Sequence, residues 1–250
     1  MIAHSGGEGL GPENTIIAME RSMAAGADLL DTDLWMSSDG VIVARHDREL
    51  STTTDGSGFI DAHTWDELQQ LDAAATWTGE PIDAPVRIPS LAQILHAFPG
   101  VRISLEIKQS SPSMAQELCR VLRAADSVDR VYLSANDDDA AYAAQAACAG
   151  TVLITTTYAD LDARRAAQDR GEPWCAASPI GQPPYREGRF DADNVADAHA
   201  HGQAIYTWTV DDPAVLRELA LAGVDGVYTR RPDVARAVFD DLADDLVDGS

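Results

Sequence analysis

Short apolar runs rich in β-branched residues alternate along this chain with longer segments whose apolar positions recur at helical period. The runs predict strands at 2–4, 28–34, 41–46, 102–107, 130–134, 151–155, 173–177, 204–209 and 225–229. Between them, helices are predicted over 15–25 behind Asn14 or Thr15 as cap, after Thr64 with Glu67 as a capping box, and after Ser90 over 91–97. Further helices are predicted over 113–125, 137–149, 161–170, 192–201, 213–222 and 232–246, with fraying from about Asp244 onward. Regular strand–helix alternation over 250 residues predicts a parallel sheet with crossover helices, closed as a (β/α)8 barrel.

One strand is then surplus. Ser37-Ser38-Asp39-Gly40 is a tight-turn signal that leaves no length for a crossover, so 41–46 is expected to fold back on 28–34 as a small hairpin near the mouth. Asp33 and His46 lie about equally far from that turn, which brings His46 alongside Asp31 and Asp33. The segment 76–87, containing Gly79, Pro81 and Pro85, reads as a surface loop near the mouth.

Polar residues gather at the predicted strand ends. Lys108 is the only lysine of the chain and follows Glu106 on the same strand face, while His4, the Asp31/Asp33 pair and His46-Asp47 end other strands. Two histidines, three carboxylates and a lysine suit metal-assisted phosphoryl chemistry. Asp31, Asp33 and Glu106 offer only oxygen, which favours a hard cation, Mg²⁺ or Ca²⁺. Imidazoles titrate near neutrality, so His4 and His46 suit proton transfer, without the sequence saying which is acid and which base. Lys108 can neutralise a phosphoryl oxygen where charge builds. His63, His96, His199 and His201 carry no such context and are read as ordinary histidines.

The ordered set Ile2-Ala3-His4-Ser5-Gly6, Pro12-Glu13-Asn14-Thr15, Asp31-Thr32-Asp33, Asp39-Gly40, His46-Asp47, Ile88-Pro89-Ser90-Leu91, Glu106-Ile107-Lys108, Trp208-Thr209-Val210 and Gly223-Val224-Asp225-Gly226 resembles the glycerophosphodiester phosphodiesterase family. The resemblance covers most of the chain. It implies an irregular TIM barrel of the phospholipase-C-like phosphodiesterases, hydrolysing glycerophosphodiesters to sn-glycerol 3-phosphate and an alcohol. It also implies Trp208 near the glycerol end of the substrate, and it raises Asp31, Asp33 and Glu106 from solvated acids to expected metal ligands. Glu13 is expected behind the site, Asn14 is explained as a helix cap, and Asp47 either orients His46 or braces its loop. Two positions depart from the family pattern: Ser5 where an arginine is usual, and Asp31 where a glutamate is usual. The aspartate reaches less far by one methylene. Ser5 leaves a gap in the positive clamp around the phosphate, for which Arg230, emerging after the last strand, is the candidate replacement, the alternative being a plain exposed arginine before Pro232; Arg45, next to His46 on its strand, is expected to face the other way.

Composition narrows the partners. A net charge of −23, from 41 acidic against 18 basic residues, opposes nucleic acid and anionic membranes; it also opposes the small anionic phosphodiester that the resemblance implies as ligand, so the site is expected to create its own positive potential from metal, Lys108 and arginine. A 45% hydrophobic content without a low-complexity divide predicts one domain over 1–250, and no apolar run approaches a bilayer span. Cys119, Cys148 and Cys175 are odd in number and widely spaced, hence expected to be reduced core thiols, and with no signal-peptide pattern at the start the expected location is the cytoplasm. A related diesterase acting on a lysophospholipid or another head group, or a barrel that binds phosphorylated ligands without turnover, are the alternative readings.

Overall fold

The computed structural model describes residues 1–155, 166, 170 and 179–248. Within these, the strands are β1 (Ile2–Ala3), β2 (Leu29–Met36), β3 (Ile42–Ala44), β4 (Arg102–Ile107), β5 (Val131–Ala135), β6 (Val152–Thr155), β7 (Ile180–Gly181), β8 (Ala204–Thr207) and β9 (Gly226–Thr229). Their order is β1-β9-β8-β7-β6-β5-β4-β2-β3, and β1 also pairs with β2, so all but β3 form a closed parallel barrel. Closure leaves those strands no open edge. The extra strand β3 runs antiparallel to β2, with Leu34 opposite Ala44 and Met36 opposite Ile42, as the turn chemistry requires. The strand expected at 173–177 lies outside the described residues, as does nearly all of the helix expected at 161–170.

Helices α1 (Ile16–Ala24), α2 (Trp65–Leu68), α3 (Leu91–Ala97), α4 (Ala115–Ala124), α5 (Asp138–Ala147), α6 (Ala192–Ala200), α7 (Pro213–Ala222) and α8 (Pro232–Asp248) accompany the strands. The capping box forms as expected at Thr64 with Glu67, and Ser90 opens α3 as expected, with Gln93 completing a second box there. Alternation along β2 and β4 sends Leu30, Leu34, Ile103, Leu105 and Ile107 outward into a core shared with Leu118 and Leu122 of α4. The opposite face fills the barrel: Ile2, Leu29 and Tyr228 pack together, with Tyr132 and Tyr206 against them. Between β3 and α3, the chain builds a small cluster of its own from Val43, Leu50, Ile60, Leu68, Ala73 and Ile88.

Several expectations need correction. The cap of α1 is Thr15, whose side chain accepts from the Ala18 amide, and Asn14 is released for another task. Helix α8 continues to Asp248 rather than fraying from Asp244. Cys119 and Cys148 are buried but not reduced: α4 and α5 pack side by side, their Cα atoms stand 5.0 Å apart, and the two form a disulfide. The reduced-thiol argument for a cytoplasmic location therefore falls. Cys175 lies outside the described residues. Among the described residues no helix is long and apolar enough to cross a membrane.

Candidate active site

The site is built by strand alternation. Two residues beyond Ile2, Leu29, Tyr206 and Tyr228 of the apolar plug come His4, Asp31, Trp208 and Arg230: Asp31 lies on the inner face of β2, and the other three follow the ends of β1, β8 and β9. Register then sets the neighbours: Asp31 lies beside Ser104 and Asp33 beside Glu106 across the β2–β4 pair. All of these stand at the C-terminal ends of parallel strands, the face where barrels of this kind place their chemistry.

Asp33 is the hub. Its carboxylate accepts from Ser5 Oγ at 3.1 Å and Asn14 Nδ2 at 2.9 Å, and it pairs with Lys108 Nζ at 3.1 Å. Lys108 also donates to Glu106 Oε1 at 2.7 Å, so one ammonium bridges two strands. Burial works against ionised Asp33, but the Lys108 charge and the Asn14 hydrogen bond outweigh it and hold the carboxyl below its usual range. Burial likewise opposes the Lys108 charge, and Asp33 and Glu106 more than restore it. Asp31 has no such cation. Burial, together with the charges of Asp33 and Glu106, pushes it up to about 7 against the pull of His4 and a hydrogen bond from the Ser5 amide at 3.2 Å.

Asn14 belongs to this network rather than to the helix. It is buried, sits at φ +56°, takes the Thr32 hydroxyl at 2.6 Å and the Asp33 amide at 3.1 Å on its carbonyl oxygen, and donates its amide to Asp33. Asparagine tolerates the left-handed region, which lets the chain turn from the His4 loop into α1 while aiming both amide atoms at β2. Ser5, at φ +46° and 1% exposed, spends its amide on Asp31 and its hydroxyl on Asp33. It braces the two carboxylates.

Each candidate proton carrier has a carboxylate on its Nδ1. His46 Nδ1 lies 2.9 Å from Asp47 Oδ1, which favours the orienting role for Asp47, and His4 Nδ1 lies 3.2 Å from Glu8 Oε1. Burial alone would lower the His4 pKa, but the Glu8 hydrogen bond and the charges of Asp31, Glu8 and Asp33 carry it to about 9. His46 is half exposed. Glu8 was invisible to sequence reasoning; its only signal is its place four residues after His4 in a glycine-rich loop.

The remaining candidates line the mouth. Trp208 is 37% exposed, with its indole N–H on the Gln182 carbonyl at 2.9 Å. Arg230 is tied through Nε to Asp211 at 2.6 Å and stands 3.9 Å from Glu8. Glu13 has a buried carboxylate oxygen without a partner, and burial raises its pKa against the opposing charge of Arg45. Arg45 is buried: it donates to Thr52 Oγ1 at 3.1 Å, and the charge of Glu13 supports its own against burial. Glu8, Glu13, Asp211, Arg230, Arg231 and Trp77 are among the residues around a 510 Å³ cavity, where Glu8 is the lining residue that contacts His4, and the 76–87 loop contributes Thr76 and Trp77 to it.

Oxygen donors alone, with Asp31 feeling the charges of Asp33 and Glu106, fit Mg²⁺ or Ca²⁺ in chemical kind. The side chains are arranged differently: among the described residues no three His, Cys, Asp or Glu side chains form a ready ligand shell, and Lys108 lies between Asp33 and Glu106.

A model of the glycerophosphoryl diester phosphodiesterase family matches residues 4–234. The chain belongs to that family. The glycerophosphodiester phosphodiesterase of Caldanaerobacter subterraneus subsp. tengcongensis is 27% identical over 250 residues, covering 93% of this chain and 94% of that protein. An Oleispira antarctica phosphodiesterase, solved with the product sn-glycerol-3-phosphate, is 25% identical with a TM-score of 0.78, covering 96% of each chain. An Agrobacterium tumefaciens glycerophosphodiester phosphodiesterase shares the fold at a TM-score of 0.78 and 23% identity, over 94% of this chain and 98% of that one. As a member of the glycerophosphoryl diester phosphodiesterase family the chain is an enzyme, a phosphodiesterase on a TIM-like barrel.

Proposed function

We propose that the enzyme hydrolyses glycerophosphodiesters to sn-glycerol 3-phosphate and an alcohol, with His4 and His46 as the proton carriers. The observation that carries this is the pairing of two carboxylate-anchored imidazoles with the Lys108-bridged acids at one barrel end. With its pKa near 9, His4 is protonated at neutral pH and suits the acid that protonates the departing alcohol. His46, half exposed and held by Asp47, takes the proton from the attacking hydroxyl. Lys108 is the fixed positive charge nearest the acids and would face the phosphoryl oxygens as charge builds on them. Trp208 is proposed to pack against the glycerol end. A divalent cation, Mg²⁺ or Ca²⁺, is proposed as cofactor on Asp31, Asp33 and Glu106; when bound it would add positive charge against the phosphate.

The charged lining of the mouth cavity favours a small polar diester over a lysophospholipid, whose acyl chain would need an apolar rim. The test is a metal-supplemented screen of glycerophosphodiesters with EDTA controls, reading released glycerol 3-phosphate. Release from any of them supports the reading; turnover of lysophospholipids alone would replace it. Calorimetric titration of Mg²⁺ and Ca²⁺ into wild type and Asp33→Ala reads the cofactor proposal apart from activity.

A further inference from the structure

The loop after β1 is shaped so that one acid reaches back to His4. Gly7 adopts φ +92° and returns its amide to the His4 carbonyl at 2.7 Å, where a Cβ would come within 1.8 Å of Ser22 Oγ. Gly9 donates its amide to the Arg230 carbonyl at 2.9 Å, and a Cβ there would stand 2.5 Å from that oxygen. Glu8 is thus pinned between two glycines whose backbones are locked to the ends of β1 and β9. These strands are neighbours at the barrel seam, with Ala3 in register with Thr229. From that position Glu8 Oε1 meets His4 Nδ1 at 3.2 Å on one side and stands 3.9 Å from Arg230 Nε on the other.

Arg230 is itself held. Asp211 accepts from its Nε at 2.6 Å and its backbone amide at 2.8 Å, and from the Thr229 hydroxyl at 2.9 Å. The chain of contacts therefore runs Thr229 and Arg230 to Asp211, Arg230 to Glu8, and Glu8 to His4. We propose that Glu8 is the positioning residue of His4, fixing the imidazole through Nδ1 so that Nε2 faces the substrate, and that Arg230 serves the reaction by bracing Glu8 instead of contacting the phosphate. The proposal rests on the glycerophosphodiester reading for its kinetics, and the carboxylate–imidazole geometry is the same arrangement that His46 makes with Asp47.

The kinetic test is a cycle of Glu8→Ala, Arg230→Ala and the double variant on a glycerophosphodiester. Loss of an orienting carboxylate should lower kcat by about 10- to 100-fold with KM within about twofold. Glu8→Gln, which keeps an oxygen acceptor, should recover part of that loss. Arg230→Ala should lower kcat less, and the double variant should fall no further than Glu8→Ala alone, since Arg230 acts through Glu8. A raised KM in Arg230→Ala with multiplicative losses in the double variant would assign Arg230 to the phosphate and overturn its bracing role. A kcat for Glu8→Ala within about twofold of wild type would overturn the Glu8 role. NMR of the His4 ring, assigned with His4→Gln, reads the same contact without turnover: a hydrogen-bonded Nδ1 proton should be present in wild type and lost in Glu8→Ala. Its absence from wild type overturns the proposal. Its presence in a protein that hydrolyses no glycerophosphodiester would overturn the substrate reading and leave the Glu8–His4 contact standing.

Discussion

The two halves of the barrel divide the work unequally. From β1 to β5 the strands include the long β2 and β4, of 8 and 6 residues, and β2 is hydrogen-bonded to β1, β3 and β4. From β6 to β9 no described strand exceeds 4 residues. His4, Asp31, Asp33, His46, Glu106 and Lys108 all come from the first half, whereas the second lends Trp208 and Arg230. Charges that must lie within hydrogen-bond reach of one another sit where register is fixed over many residues. The contacts of the second half ride on short strands, and each needs its own local tether: Gln182 for Trp208, Asp211 for Arg230.

Breaking the hub should give the largest effect. Asp33→Ala strips a partner from Lys108, Asn14 and Ser5 at once, so turnover should fall to background, with a loss of about 1–3 kcal/mol in denaturant unfolding from the donors left unsatisfied while Lys108 keeps Glu106. Full activity with unchanged stability would remove Asp33 from the centre of the site. Next in size, His46→Ala should lower kcat by about 10²-fold, and combining it with His4→Ala should cost less than the product, because both serve one displacement. Steady-state kinetics on folded protein decides this. In the second half, Trp208→Ala should raise KM by about 10-fold and leave kcat within a few-fold, as expected of a contact worth about 1.4 kcal/mol that substrate and transition state share. A kcat collapse in that variant would erase the proposed division of labour.

Two predictions concern stability rather than turnover. In EDTA-treated protein, Asp31 stands at about 7, above the ordinary carboxylate value, so its protonated form favours the folded state. That contribution is full at acid pH and is lost as the pH rises through about 7. His4, raised to about 9, likewise contributes below its ordinary pKa and loses that contribution as the pH rises through about 9. Thermal melts should therefore show the site's contribution declining between mildly acid and alkaline pH, and Asp31→Asn should flatten the lower part of that decline. A melting profile that Asp31→Asn leaves unaltered contradicts the raised carboxyl. The smallest effect on turnover is expected from Cys119→Ser. Opening a link between residues 29 apart should cost about 2–4 kcal/mol in unfolding free energy while kcat stays near wild type. Two free thiols in the native wild-type protein at these positions would show that the bond does not form.

The order of strand ends, the two-residue period that places Asp31 with Asp33 and Glu106 with Lys108, and the turn at Ser37–Gly40 were legible because each is a local property of the chain. These local properties determined the barrel, the hairpin and the grouping of Asp31, Asp33, Glu106 and Lys108 at one end of it. What the tertiary structure decided depends on distances between residues far apart in sequence, or on backbone states that residue type only permits. Asn14 became an Asp33 partner because a left-handed turn swings it off the helix start, and Cys119 met Cys148 because two helices pack side by side. Lys108 bridges Asp33 and Glu106 because the β2–β4 register sets those two acids side by side. Arg45 is buried toward Glu13, and Glu8 reaches His4, only through the paths their loops take after the strands end. Alternation predicts which way a side chain leaves a strand; it carries no information once the strand has stopped.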